Sequence, residues 1–98
     1  MPRSLATKVV STPTAQVLPR YDIYFTDTTV NPVTLTLPAI DGDDGLHFYF
    51  RNINDGIPDD TTILPADGDT IDGQSSYVLF TGTFNHFVSL GTNWYIIG

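Results

Sequence analysis

The chain has 98 residues, no cysteine and a formal net charge of −7. That length gives one domain with a modest core, and the missing thiols exclude both disulfides and thiolate metal sites. The longest apolar runs, such as Tyr95-Ile96-Ile97, are far too short to cross a bilayer. Arg3 and Lys8 are not followed by the continuous apolar stretch of a signal peptide, so the sequence implies no Sec export.

Every one of the eleven acidic residues is Asp, while threonine occurs fourteen times and lysine and methionine once each. Strong helix formers are thus scarce, and β-branched and aromatic residues are plentiful, which points to an all-β chain. The charge is unevenly placed. Arg3, Lys8 and Arg20 precede any acid, whereas residues 21–98 carry eleven Asp against Arg51 alone, a balance of −10. Such a body repels nucleic acid and anionic membrane, and the basic beginning suits an acidic partner surface.

Residues 1–19 read as an extended N-terminal arm. Pro2, Pro13 and Pro19 interrupt it, and Val9-Val10 and Val17-Leu18 are its only apolar pairs. Residues 20–98 read as a single β domain. Its first strand is expected over 21–26, with Tyr21, Ile23 and Phe25 on the apolar face although Tyr24 blurs the alternation. Val33 to Leu37 alternates strictly, the pattern of a half-buried strand. Leu46 to Arg51 places Leu46, Phe48 and Phe50 on one face and His47, Tyr49 and Arg51 on the other. Short strands follow at 61–64 and 77–81. The chain then runs through 84–90, a three-residue Gly91-Thr92-Asn93 connection, and a last strand at 93–97. Seven or eight short strands between turn residues indicate a small antiparallel sandwich, jelly roll or barrel.

One internal echo stands out. Thr36-Leu37-Pro38-Ala39-Ile40-Asp41-Gly42-Asp43 resembles Ile63-Leu64-Pro65-Ala66-Asp67-Gly68-Asp69, 27 positions later. Each is a strand end, a proline that stops the ladder, and an acidic turn. Two copies do not define a solenoid, so they read as equivalent strand-to-turn corners.

The acidic turns invite comparison with calcium loops. Counted from Asp67 or Asp41, however, the twelfth position is Val78 or Asn52, where an EF-hand needs a bidentate Glu. Asp-Gly is a favoured turn pair for backbone reasons alone, so no metal site is expected here. A glycosidase pair is equally unpromising, because Asp in Gly-rich, solvated turns stays ionised. His47 and His86 sit within strands between aromatic or apolar neighbours, and Ser75, Ser76 and Ser89 lie outside any Gly-x-Ser-x-Gly context. No phosphate-cradling motif is present. The sequence therefore implies no enzyme and no cofactor, and the aromatics Phe48, Phe50, Phe80, Phe87 and Trp94 are expected in the core or a subunit interface.

An ordered set of segments resembles a known class. It comprises Val33-Thr34-Leu35-Thr36-Leu37-Pro38, Asp41-Gly42-Asp43-Asp44-Gly45, Phe48-Tyr49-Phe50-Arg51-Asn52-Ile53, and Ala66-Asp67-Gly68-Asp69-Thr70-Ile71-Asp72-Gly73. It ends with Leu90-Gly91-Thr92-Asn93-Trp94-Tyr95-Ile96-Ile97-Gly98. Together these look like the β modules of tailed-bacteriophage virion surface proteins, found in tail fibres, head fibres and capsid decoration proteins. The resemblance covers about residues 33–98. It implies a non-catalytic homotrimer on the virion, assembled in the host cytoplasm. A short arm on a free-standing module suits a decoration (cement) protein on the capsid surface, bound to the major capsid protein through Arg3, Lys8, Val9 and Val10. The alternative it implies is a receptor-binding tail-fibre or head-fibre module contacting host surface polysaccharide.

Overall fold

The computed structural model describes residues 5–53 and 59–98. Ten strands are present: β1 Thr7–Val10, β2 Thr14–Gln16, β3 Ile23–Asp27, β4 Val33–Thr36, β5 His47–Ile53, β6 Thr61–Leu64, β7 Thr70–Ile71, β8 Tyr77–Leu79, β9 Phe84–Leu90 and β10 Asn93–Ile96. They form a six-stranded sheet in the order β1-β3-β5-β9-β10-β7 and a four-stranded sheet in the order β2-β4-β6-β8. Apolar residues of both sheets face one another across a shared core, which makes the fold an all-β sandwich.

From β1 to β9 each strand lies in the opposite sheet from the one before it. The chain crosses one layer, turns a corner, crosses the other layer and returns beside its previous pass. Strands in successive passes therefore run the same way. β1, β3 and β5 pair in parallel in one sheet, as do β2, β4 and β6 in the other. The expectation of antiparallel pairing is met at β5-β9, β9-β10 and β6-β8 alone, so both sheets are mixed. The Asp-Gly turns that suggest hairpins are mostly corners between layers. The one hairpin joins β9 to β10 through Gly91-Thr92, with Leu90 paired to Asn93, so its loop is one residue shorter than expected. Gly91 opens that loop at φ 68°, a conformation that strongly favours glycine.

The echoed segments now have a physical meaning. They are the ends of β4 and β6, which stack in parallel with Leu35 beside Ile63 and Thr36 beside Leu64. The Leu37 N–H donates to the Leu64 carbonyl at 2.8 Å, continuing the ladder into the corner. Two successive passes need the same corner chemistry, and the sequence repeats it.

Residues 7–10 and 14–16 correct the reading of a separate arm. They are the edge strands β1 and β2, one in each sheet, and Val10 and Val17 are buried in the core. Pro13 lies in the corner between β1 and β2 and Pro19 in the connection from β2 to β3, while Pro2 lies outside the described residues. β3 also departs from its expected face. Tyr24 and Thr26 point inward, and Ile23 and Phe25 face outward. The Tyr24 hydroxyl is held by the Leu18 backbone, accepting from its N–H at 2.6 Å and donating to its carbonyl at 3.0 Å. That pairing lets a tyrosine occupy the core.

The core is aromatic at its centre. Phe48 packs on Trp94 with ring centroids 5.8 Å apart, and Phe50 meets Phe87 edge-on at 5.2 Å. All four are buried. Phe80 is not: it is 61% exposed, because Leu79 takes the inward position at the end of β8 and Phe80 begins the following turn. At one end the layers are joined by polar groups, where Asn52 donates to the Leu79 carbonyl at 3.0 Å and accepts from the Thr28 hydroxyl at 2.9 Å. Each buried polar atom there has a partner, which removes the desolvation penalty.

Candidate functional site

The outer faces of the two sheets differ sharply. On the four-stranded sheet, pairing aligns Thr14, Thr34 and Thr62 into one ladder that ends on Val78, and Gln16 and Thr36 into another that ends on Leu64. Hydroxyls and amides suit water. On the six-stranded sheet the equivalent rows are richer in large apolar and aromatic side chains, interspersed with Arg51, Thr7 and two histidines. One runs Val9, Phe25, Arg51, Phe84; another runs Thr7, Ile23, Tyr49, His86; a third is His47, Val88, Tyr95. Val9, Phe84, Leu90 and Tyr95 are exposed, and Ile97, at 61%, lies beyond the end of β10. At about 4.8 Å between strands and 3.3 Å per residue, this face covers roughly 500 Å². The apolar part of it is of the size of the largest patches on ordinary monomers, which are often functional, and is smaller than the roughly 800 Å² per partner of a standard interface.

The sequence carried a signal for this face that strict alternation hides. β3 reads Ile-Tyr-Phe and β5 reads Phe-Tyr-Phe, nearly continuous apolar runs, and such runs belong to strands covered on both sides. One described acid, Asp27, shares the outward row of β3 with Ile23 and Phe25, and the others lie off the strands.

Near the middle of this face sits an imidazole pair. His86 Nε2 lies 3.3 Å from His47 Nδ1, and the Tyr49 ring stacks on His86 at 4.0 Å with an interplanar angle of 15°. Tyr49 also meets His47 edge-on. Partial burial, and next the neighbouring His47, hold the His86 pKa below its ordinary value. Ser89 lies on the opposite side of β9. It is buried, its hydroxyl donating to the Asp43 carbonyl at 2.7 Å and accepting from the Leu46 N–H at 2.9 Å. The histidines and this serine therefore face away from each other.

The acidic corners gather elsewhere, around an open cleft of about 430 Å³ lined by Asp41, Asp67, Asp69, Gly42, Gly68 and Thr92. Three corner carboxylates, those of Asp44, Asp69 and Asp72, accept from backbone N–H groups. Asp69 accepts from the Ile40 N–H at 3.0 Å and Asp44 from the Gly91 N–H at 2.8 Å, each tying one corner to another. Asp41 and Asp72 take positive φ, which Asp tolerates better than most residues. Backbone demand accounts for these aspartates.

The expected attachment residues separate. Arg3 lies outside the described residues. Lys8 stands on the edge strand with its ammonium 5.9 Å from the Tyr21 ring centre, and the Arg20 guanidinium approaches the same ring at 5.3 Å. Val9 is exposed on the apolar face. Val10, in contrast, is a core residue and is not available to a partner. Among the described residues no helix is long and apolar enough to cross a membrane. No protein-family model matches the chain, and no curated protein matches it.

Proposed function

We propose that this chain is a non-enzymatic structural protein of a tailed-bacteriophage virion, a homotrimeric capsid decoration protein that binds the major capsid protein and stabilises the shell. The observation that carries the reading is the contrast between the two outer faces. A threonine-covered sheet suits solvent, and an apolar sheet of similar build suits protein. Identical acidic bodies can approach each other through this face because its exposed side chains are mainly apolar and most described carboxylates lie on the corners. The carboxylates of Asp44, Asp69 and Asp72 accept from backbone N–H groups and Ser89 is turned away from both histidines, which supports a non-catalytic reading. The resemblance of residues 33–98 to virion surface modules supplies the setting, with assembly in the host cytoplasm and residence on the capsid surface. Attachment to the shell is assigned to the β1 edge, where Lys8 and Arg20 supply cations and an extended strand can accept a neighbour. Electron microscopy of the parent particle tests this. Density for the chain at capsid symmetry axes is the expected result, and density on the tail would replace this reading with that of a fibre module.

A further inference from the structure

The imidazole pair on the six-stranded sheet is joined by a ring-to-ring hydrogen bond whose N···N separation also matches that of two ligands of one metal ion. His47 and His86 lie diagonally across β5 and β9, since Tyr49 pairs with His86 and Val88 with His47. One nitrogen of each ring is turned toward the other at 3.3 Å. Two imidazole ligands of a tetrahedral zinc ion, each at about 2.0–2.1 Å, have nitrogens about 3.3–3.4 Å apart. The separation is therefore the ligand edge of such a site. We infer that His47 Nδ1 and His86 Nε2 form a two-imidazole chelate for a borderline divalent cation, with Zn²⁺ as its reference ion.

Two further observations fit that assignment. The Tyr49 ring, stacked on His86 and set edge-on to His47, restrains both imidazoles, as supporting groups do for metal ligands. The backbone of His86 is fixed too, donating to the Gly98 carbonyl at 3.0 Å and accepting from the Ile97 N–H at 2.9 Å. The pairing partners around the two rings are Tyr49 and Val88, with Tyr95 next across β10, and none carries a charge. Arg51, two positions beyond Tyr49, is the nearest charge in the strand's own outward row. Among the described residues no third His, Asp or Glu joins the pair. The ion therefore keeps two coordination positions for water or for an outside ligand. Imidazole donors without thiolate or carboxylate favour Zn²⁺, Ni²⁺ and Cu²⁺ over Ca²⁺ or Mg²⁺.

The test is calorimetric titration of the whole chain with Zn²⁺ at pH 7.5, beside His47→Ala and His86→Gln. His47 is exposed, so its truncation leaves the fold intact, which circular dichroism verifies. One ion per chain is expected, with affinity reduced at least tenfold in each variant, because loss of a ligand costs no less than loss of its supporting neighbour. Binding should also fade at pH 5.5 as the imidazoles protonate. In ¹⁵N spectra of the imidazoles, both rings should respond together. Absence of saturable binding overturns the assignment. So does binding that survives either substitution, which would place the ion on the acidic turns or on a single ring. Neither result depends on whether the chain decorates a capsid.

Discussion

The hydroxyl oxygens of Thr26 and Thr61 lie 2.5 Å apart in the core, joining β3 of one sheet to β6 of the other. Both residues are fully buried. Thr26 has a second acceptor, the Arg51 carbonyl at 3.4 Å, whereas among the described residues Thr61 has only Thr26. Thr26→Val should therefore cost more than Thr61→Val, about 1–3 kcal/mol against about 1 kcal/mol, because it strands the Thr61 hydroxyl in an apolar setting. The double valine variant should cost less than the sum of the two, since no orphan remains. Urea unfolding of the four proteins measures all three differences. Strict additivity would show that this bridge does not couple the sheets.

The beginning of the chain is part of the fold. Val17 is wholly buried and Val10 nearly so, and the Val17 N–H donates to the Thr36 carbonyl at 2.8 Å. Val17→Ala should lower stability by about 1.5–3 kcal/mol, the range for burying such a side chain. Deleting residues 5–17 removes an edge strand from each sheet and uncovers the core behind both, so this protein should fail to unfold cooperatively. A truncated chain with an unchanged melting curve would restore the reading of residues 1–19 as a free arm.

Local pattern revealed seven of the ten strands, because Val33 to Thr36 or Phe84 to Leu90 carry their own alternation and turn residues. It did not reveal β1, β2 and β7, which are two to four residues long and take their regularity from the strands beside them. Nor does alternation say which layer a strand enters. That follows from corners, and an Asp-Gly corner looks like an Asp-Gly hairpin in sequence. The Leu-Pro-Ala echo was the one long-range clue, and it marked stacked passes correctly as equivalent corners. The apolar face was legible only in part. Tyr24 beside Phe25 looked like noise in a half-buried strand, yet it records one residue for each side. The His47–His86 approach was invisible, because it depends on the register of β5 against β9.

Stability should depend on pH through His86. Its folded pKa lies below the ordinary value of about 6.5, with burial the first cause and His47 the second. Below about pH 6.5 the unfolded chain then binds the proton more readily than the folded one, and stability falls as the pH drops through that value toward the folded pKa. Above it, both states are neutral and this contribution is constant. Melting temperatures from pH 7.5 down to 5, recorded with a metal chelator present, should decline in the native chain and decline less in His86→Gln. Parallel curves would place the dependence on the aspartates instead.

Self-association through the six-stranded sheet makes a prediction that separates the two outer faces. Phe84 is 57% exposed and sits opposite Arg51, so Phe84→Asp gains an ion partner on its own chain and keeps the fold. In an assembly buried through this face, however, the same carboxylate must leave water, and neighbouring copies already carry like charge. Tyr95→Asp probes the far side of the face in the same way. Thr34→Asp places an identical charge at the centre of the threonine ladder, where no partner is expected. Sedimentation equilibrium of the native chain should give a species of three times 10.8 kDa at micromolar concentration. Phe84→Asp and Tyr95→Asp should shift it to monomer, at least tenfold weaker in association, while Thr34→Asp leaves it unchanged. Disruption by Thr34→Asp alone would move the interface to the other sheet. A native chain that stays monomeric throughout would show that the apolar face belongs to a different partner, and the homotrimer would have to be abandoned.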